Sequence, residues 1–245
     1  MRWAIPPASI PNSCPPPQAG WSSRLARFSF VSRNDTLEPA RFTPNAMRPP
    51  PLPLHITGVI LAAGRSSRMG RDKAFLTLAD GSTLVAHQAA VLRSLHVNDL
   101  LISARPHTEY HIPGAHRVYD TLPDAGPLAG IAAALAYSKQ PHVLALAVDL
   151  PHITTHFLQS LLEHSAPGIG AVPSTASGFE PLCAVYPNTP DTRAAITAAL
   201  KSTDFSLQHL LHSAVSVGWM RAVPVAKSDL PLFANWNRPE DASAP

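Results

Sequence analysis

From Ile56 onward the chain alternates short apolar runs with segments of helical period, and this alternation restricts the fold more than any other feature of the sequence. Runs at 58–62, 100–104, 117–119 and 143–148 have the length and aliphatic content of strands. The most apolar of them, 143–148, shows no every-other-residue polarity, so both of its faces must be covered. Segments 84–95 and 128–137 have the period of helices and supply that cover. A strand–helix–strand order makes successive strands parallel, because the crossover helix returns the chain to the edge it started from. The second half keeps the pattern less regularly: a helix over 154–164 with Thr154 as N-cap, strands near 170–173 and 182–186, helices at 191–200 and 206–212, and a strand near 219–225. The expectation is an α/β protein, a three-layer α/β/α Rossmann-like domain over 54–245 with a mostly parallel sheet. Its ligands should bind beyond the carboxyl ends of the strands.

Residues 1–53 stand apart. They hold 12 of the 27 prolines, including runs at 15–17 and 49–51, and no sustained period. Such a segment cannot bury enough apolar surface to offset its ordering entropy, so it is expected to be a disordered leader. Met47 is an alternative start, in which case residues 1–46 are not translated. The split also locates the charge. A pI near 9.1 would suit a polyanion binder, but the leader carries six Arg against Asp35 and Glu38, leaving 13 basic and 14 acidic residues beyond it. The body is not basic, so nucleic acid is not an expected partner and any phosphate must be met locally. No apolar run reaches the ~20 residues of a membrane helix, and Cys14 and Cys183 belong to no metal or redox pattern. A cytoplasmic protein without a membrane partner is expected.

The stretch Leu61-Ala62-Ala63-Gly64-Arg65-Ser66-Ser67-Arg68-Met69-Gly70-Arg71-Asp72-Lys73 follows directly on the first strand. Small residues at 62–64 allow backbone N–H groups close to a phosphate or base, while Arg65, Arg68 and Lys73 add full positive charges. The loop has the makings of a phosphate cradle. It is not a dinucleotide fingerprint, because Gly64 and Gly70 stand six apart, and not a Walker A loop, because Lys73 neither follows Gly nor precedes Ser or Thr.

Asp149 ends the most apolar run of the chain, where a lone carboxylate is costly unless it meets a cation. A Mg²⁺ ligand is one role for it, since that ion prefers one or two carboxylates plus phosphate oxygens; an N-cap for the following helix is the other. Asp120 follows a short strand and either contacts a nucleotide or serves as a turn aspartate. Gly126, Pro127 and Gly130 shape a turn into a helix whose N-terminus can face an anion. His152 and His156 stand four apart but lack the Glu of a zincin, and read as surface or capping residues.

Taken together, these landmarks resemble the MobA-like nucleotidyltransferases. Residues 61–73 resemble the LAxGxSxRMGxxK signature of the enzymes that act on NDP-sugars, isoprenoid precursors and the molybdenum cofactor. Asp120-Thr121 with Gly126-Pro127-Leu128-Ala129-Gly130, Val148-Asp149-Leu150-Pro151, Glu180-Pro181-Leu182 and the 235–241 ending NWNRPED resemble the molybdenum cofactor guanylyltransferases in particular. The resemblance implies the Rossmann-like nucleotidyltransferase fold, with GTP and molybdenum-molybdopterin as substrates and molybdoenzyme apo-proteins or their chaperones as receivers of the product. It implies nucleotide contacts at Leu61, Ala62, Ala63, Gly64, Lys73, Ser103, Asp120 and Asp149. Arg68, Lys73 and Asp149 would be catalytic, Asp149 would hold Mg²⁺, and Pro181, Asn235 and Asn237 would bind the acceptor. Ala63 stands where guanylyl members often have Gly, a cytidylyl trait, so a molybdopterin cytidylyltransferase using CTP is the nearest alternative. A sugar-phosphate nucleotidyltransferase and a non-catalytic carrier of the cofactor complete the set.

Overall fold

The computed structural model describes residues 55–62, 72–104, 108–119, 122, 125–202 and 205–236. The leader expected over 1–53 therefore lies outside the described residues. In chain order the elements are β1 (Ile56–Leu61), a 3₁₀ turn (Lys73–Phe75), α1 (Leu84–Ser94), β2 (Asp99–Ala104), β3 (Ala115–Tyr119), α2 (Pro127–Tyr137), β4 (His142–Ala147), α3 (Thr155–Glu163), β5 (Gly170–Thr175), β6 (Gly178–Phe179), β7 (Cys183–Pro187), α4 (Pro190–Lys201), α5 (Leu207–Val217), β8 (Met220–Pro224) and a second 3₁₀ stretch (Lys227–Phe233).

The eight strands form one sheet in the order β3-β2-β1-β4-β7-β5-β6, with β8 also beside β5. Strands β3, β2, β1 and β4 are parallel throughout; in register, Leu61 lies between Ser103 of β2 and Ala147 of β4. Beyond β4 the sheet turns mixed: β7 is antiparallel to β4 and β5, β6 is antiparallel to β5, and β8 is parallel to it. The expected α/β architecture with a mostly parallel sheet is present. The antiparallel insertion of β7 between β4 and β5 is a finding of the structure.

The uninterrupted apolar strands are explained by the two cores they feed. All six residues of β1 and of β4 are buried. Ile56, Ile60, Leu144 and Leu146 pack with α1 and α3, and Val59, Leu61, Val143 and Ala145 pack with α2, α4 and α5. Alternate side chains thus enter opposite cores, each large aliphatic one contributing roughly 1.5–3 kcal/mol of burial. Caps fix where the helices begin. Thr154 accepts from the Phe157 backbone N–H at 3.2 Å, Thr83 from Ala86 and Thr189 from Thr192. Helix α2 starts differently: Gly126 (φ 62°, ψ −151°) holds a conformation closed to other residues, Pro127 occupies the first turn, and no side chain caps the end.

One close approach sets the floor of the region that follows. A Cβ on Gly130 would fall 2.5 Å from Ser103 Oγ and 3.1 Å from Leu61 Cδ2, so glycine is what lets α2 settle onto the carboxyl ends of β1 and β2.

Candidate active site

The strand order reverses between β1 and β4: the chain leaves β1 toward β2 and leaves β4 toward the mixed half of the sheet. Loops diverging from two adjacent parallel strands leave a crevice at their carboxyl ends, the place where open α/β sheets bind ligands. Two charged residues meet there. Lys73 Nζ donates to Asp149 Oδ2 at 3.2 Å, with 22% and 24% of the two side chains exposed. Lys73 opens the 3₁₀ turn that ends the loop after β1, and Asp149 lies two residues beyond β4, so a pair 76 positions apart in sequence is assembled by the β1–β4 register.

The structure also decides the role of Asp149 within the backbone. The N-cap of α3 is Thr154, so Asp149 does not cap that helix. One carboxylate oxygen, Oδ2, is held by Lys73, and Oδ1 has no hydrogen-bond partner among the described residues. That donor set fits Mg²⁺, which keeps most of its ligands as water and substrate phosphate and takes only one or two carboxylates. Among the described residues there is no group of three or more His, Cys, Asp or Glu that would form an all-protein cage for another ion. The His152 ring accepts from Trp236 Nε1 at 3.3 Å.

Several residues expected to contact the nucleotide sit deeper. Leu61 and Ala62 are buried at 8% and 3% exposure, and their backbones are engaged: Ala62 N–H donates to Ser103 O at 3.1 Å, and Leu61 O accepts from Val148 N–H at 3.3 Å. Ser103 is 1% exposed beneath Gly130 and closes the floor of the crevice. Ala63, Gly64, Arg68, Asp120 and Asn237 lie outside the described residues.

On the far wall, Leu182 O accepts from Ala147 N–H at 2.7 Å, which brings the 180–182 bend alongside the end of β4. Pro181 O accepts from the buried Tyr186 hydroxyl at 2.8 Å, fixing the bend, and burial raises the half-buried Glu180 carboxyl above its ordinary range. The tail arrives at the same place. Trp236 N–H donates to Asp149 O at 3.0 Å with the indole buried, and the exposed Asn235 is its neighbour.

Two contributors were not singled out in the sequence. Tyr110 donates from its hydroxyl to Asp72 Oδ2 at 2.6 Å and lies 3.5 Å from Ala62 O, so one phenol joins both ends of the loop after β1. Asp72 Oδ1 in turn accepts from Ala74 N–H at 3.0 Å, and Phe75 stacks on the Tyr110 ring at 5.5 Å. The available signal was a lone aromatic in the polar connection before β3. The other is Trp236, set between the two asparagines that drew attention.

This arrangement can be set beside known proteins. Residues 58–217 match the MobA-like NTP transferase domain. The chain belongs to that family. A probable molybdenum cofactor guanylyltransferase of Opitutus terrae is 38% identical over 189 residues, covering 76% of this chain and 92% of the relative. The molybdenum cofactor guanylyltransferase of Pseudomonas paraeruginosa is 35% identical over 187 residues, covering 74% and 90%. The crystal structure of molybdopterin-guanine dinucleotide biosynthesis protein A from Archaeoglobus fulgidus superposes with a TM-score of 0.57 at 19% identity over 76% of this chain and 95% of that one, a likeness of fold. The MobA-like family is one of nucleotidyltransferases, and the Lys73–Asp149 crevice lies within the matched residues.

Proposed function

We propose that the protein transfers GMP from GTP to the terminal phosphate of molybdenum-molybdopterin, giving the guanine dinucleotide form of the cofactor and pyrophosphate. The observation that carries this reading is the Lys73–Asp149 pair across the β1–β4 crevice, a cation and a half-open carboxylate at the point where an α/β sheet receives a nucleotide. The names of the relatives supply the substrates. A terminal phosphate oxygen of the pterin forms a bond to the α-phosphorus of GTP as the bond between the α- and β-phosphates breaks, and the electron pair leaves with pyrophosphate. No general base is needed, because a phosphate monoester is already anionic near neutral pH.

The protein's work is positioning and charge stabilisation. Lys73, with Arg68 of the same loop, neutralises the charge that builds as pyrophosphate departs. Asp149 would hold Mg²⁺, which supplies further neutralisation of the phosphates when bound. Pro181, Asn235 and Asn237 would bind the acceptor, as the family resemblance implies. A carrier that only held the finished cofactor would have no use for the paired charges. The product passes to molybdoenzyme apo-proteins or their chaperones, in the cytoplasm, and residues 1–53 are dispensable for the reaction.

The cytidylyl alternative rests on Ala63. A methyl group there weakens a base preference by one hydrogen bond's worth, about 0.5–1.5 kcal/mol, which erodes a preference built on several contacts without reversing it. Pyrophosphate release with molybdenum-loaded molybdopterin and each of GTP, CTP and UTP tests the reading. GTP should give the highest kcat/KM; a higher value with CTP would move the chain to the cytidylyl branch.

A further inference from the structure

The carbonyls of Asp149 and of the two residues after it are held by two distant parts of the chain, helix α1 and the tail. Asp149 O accepts from Trp236 N–H at 3.0 Å, Leu150 O from Gln88 Nε2 at 2.7 Å, and Pro151 O lies 3.0 Å from His87 Nε2, which donates to it in the matching tautomer. Helix α1 thus grips two consecutive peptides just past the carboxylate, and the tail grips the first.

Gln88 is the unusual member of this frame. It is 0% exposed among the apolar side chains Leu84, Val85, Ala89 and Leu92 of the same helix. Because Leu150 O can only accept, the amide orientation is fixed, and Gln88 Oε1 is left buried without a hydrogen-bond partner. Leu150 O, meanwhile, has a second donor in Ile153 N–H at 3.3 Å. A side chain that leaves its own oxygen unmet, while satisfying a carbonyl that already has another donor, does little for stability; an apolar residue of the same length would serve the core as well or better.

We infer that Gln88 is a positioning residue for Asp149: it fixes the 149–151 peptides so that the carboxylate stays opposed to Lys73 at the mouth of the crevice. This rests on the reading of Asp149 as a group acting on the transferred phosphate. The distinguishing consequence is a separation of stability from rate. Gln88→Met keeps the length and removes both polar groups, so Tm should equal or exceed that of the unaltered protein. In the same variant kcat for pyrophosphate release should fall about tenfold or more, the usual result of a displaced catalytic group. KM for GTP should stay within about twofold, since most of the nucleotide contacts implied by the family resemblance, at Leu61 to Gly64 and Lys73, lie in the 61–73 stretch rather than on Gln88 or the 149–151 turn.

A second readout does not depend on turnover. Amide exchange at Trp236 reports the bond to Asp149 O, and it should speed up about tenfold in Gln88→Met while the interior amides of β4 keep their protection. A variant with lowered Tm, or one that fails to fold, together with unchanged kcat or unchanged Trp236 exchange in whatever folds, would make Gln88 an ordinary core residue and overturn the inference. If the unaltered protein does not turn over GTP, the proposed function falls by itself, and the Trp236 exchange comparison still decides the role of Gln88.

Discussion

The parallel half of the sheet, β3-β2-β1-β4, and the mixed half built on β7, β5, β6 and β8 share one set of hydrogen bonds but answer to different constraints. In the parallel half the chemistry-bearing residues sit just beyond the strand ends, partly exposed, where little of the fold depends on them: a partly exposed ion pair such as Lys73–Asp149 contributes at most about 1 kcal/mol. In the mixed half the backbone is packed so closely that a single methyl group has no room. A Cβ on Gly170 would lie 2.1 Å from Val185 O, 2.5 Å from Met220 Sδ and 2.7 Å from Pro187 Cδ. The parallel half carries the Lys73–Asp149 pair; the mixed half is a closely packed wall that presents the 180–182 bend.

Substitutions can separate these two roles. The largest effect is expected from Asp149→Asn, which should lower kcat by about 10²–10³ through loss of one charge stabiliser. Its Tm should move by less than about 4 °C, because the ion pair is worth so little to the fold. Steady-state turnover beside a thermal melt checks both. Gly170→Ala should do the reverse. The clash is with backbone, which cannot swing aside, so a loss of about 3 kcal/mol or more is expected in denaturant titration, while the folded fraction keeps its kcat.

Tyr110→Phe sharpens the comparison within the active half. It removes the 2.6 Å bond to Asp72 that ties off the loop after β1, at a cost of about 0.5–1.5 kcal/mol. The loss should appear mainly as a raised KM for GTP, because the loop ends are loosened while Asp149 is untouched. An unchanged KM would show that the loop holds its shape without the phenol.

The smallest effect concerns Glu180, on the mixed wall. Burial raises its carboxyl above the ordinary value of 4.5. An acid whose folded pKa exceeds its unfolded pKa contributes stability that is complete below the unfolded value and is lost as pH rises through the folded one. Glu180→Gln should therefore match the unaltered protein in acid and become the more stable of the two above that window. Melts taken at intervals from about pH 4 to pH 7 read the divergence.

The two halves also differ in how far the sequence disclosed them. Strands β1 and β4 were legible because covering both faces forces an uninterrupted apolar run, and Thr154 announced the start of α3 with a cap. Helix α5 runs on to Val217, past the expected end at 212, because His212, Ser213 and Ser216 interrupt an apolar period that Leu211 and Ala214 still keep. The two-residue β6 is half-buried and too short to carry a period, and the antiparallel place of β7 depends on long-range pairing that no local pattern encodes. At the site, Lys73 and Asp149 were legible one by one as motif residues, but their pairing is a product of strand register. Tyr110, Gln88 and Trp236 make their contributions through hydrogen bonds to backbone carbonyls, a loop carboxylate or a ring nitrogen, and their residue types alone gave no sign of it.

Transfer of a guanylyl group at this crevice, as proposed, is read from the fate of the α-phosphate. With GTP labelled at that position, molybdenum-loaded molybdopterin and Mg²⁺, label should enter the pterin product in step with pyrophosphate release, and Asp149→Asn should suppress both together. Label that stays with the free nucleotide, or that enters the product from CTP more readily than from GTP, would contradict it.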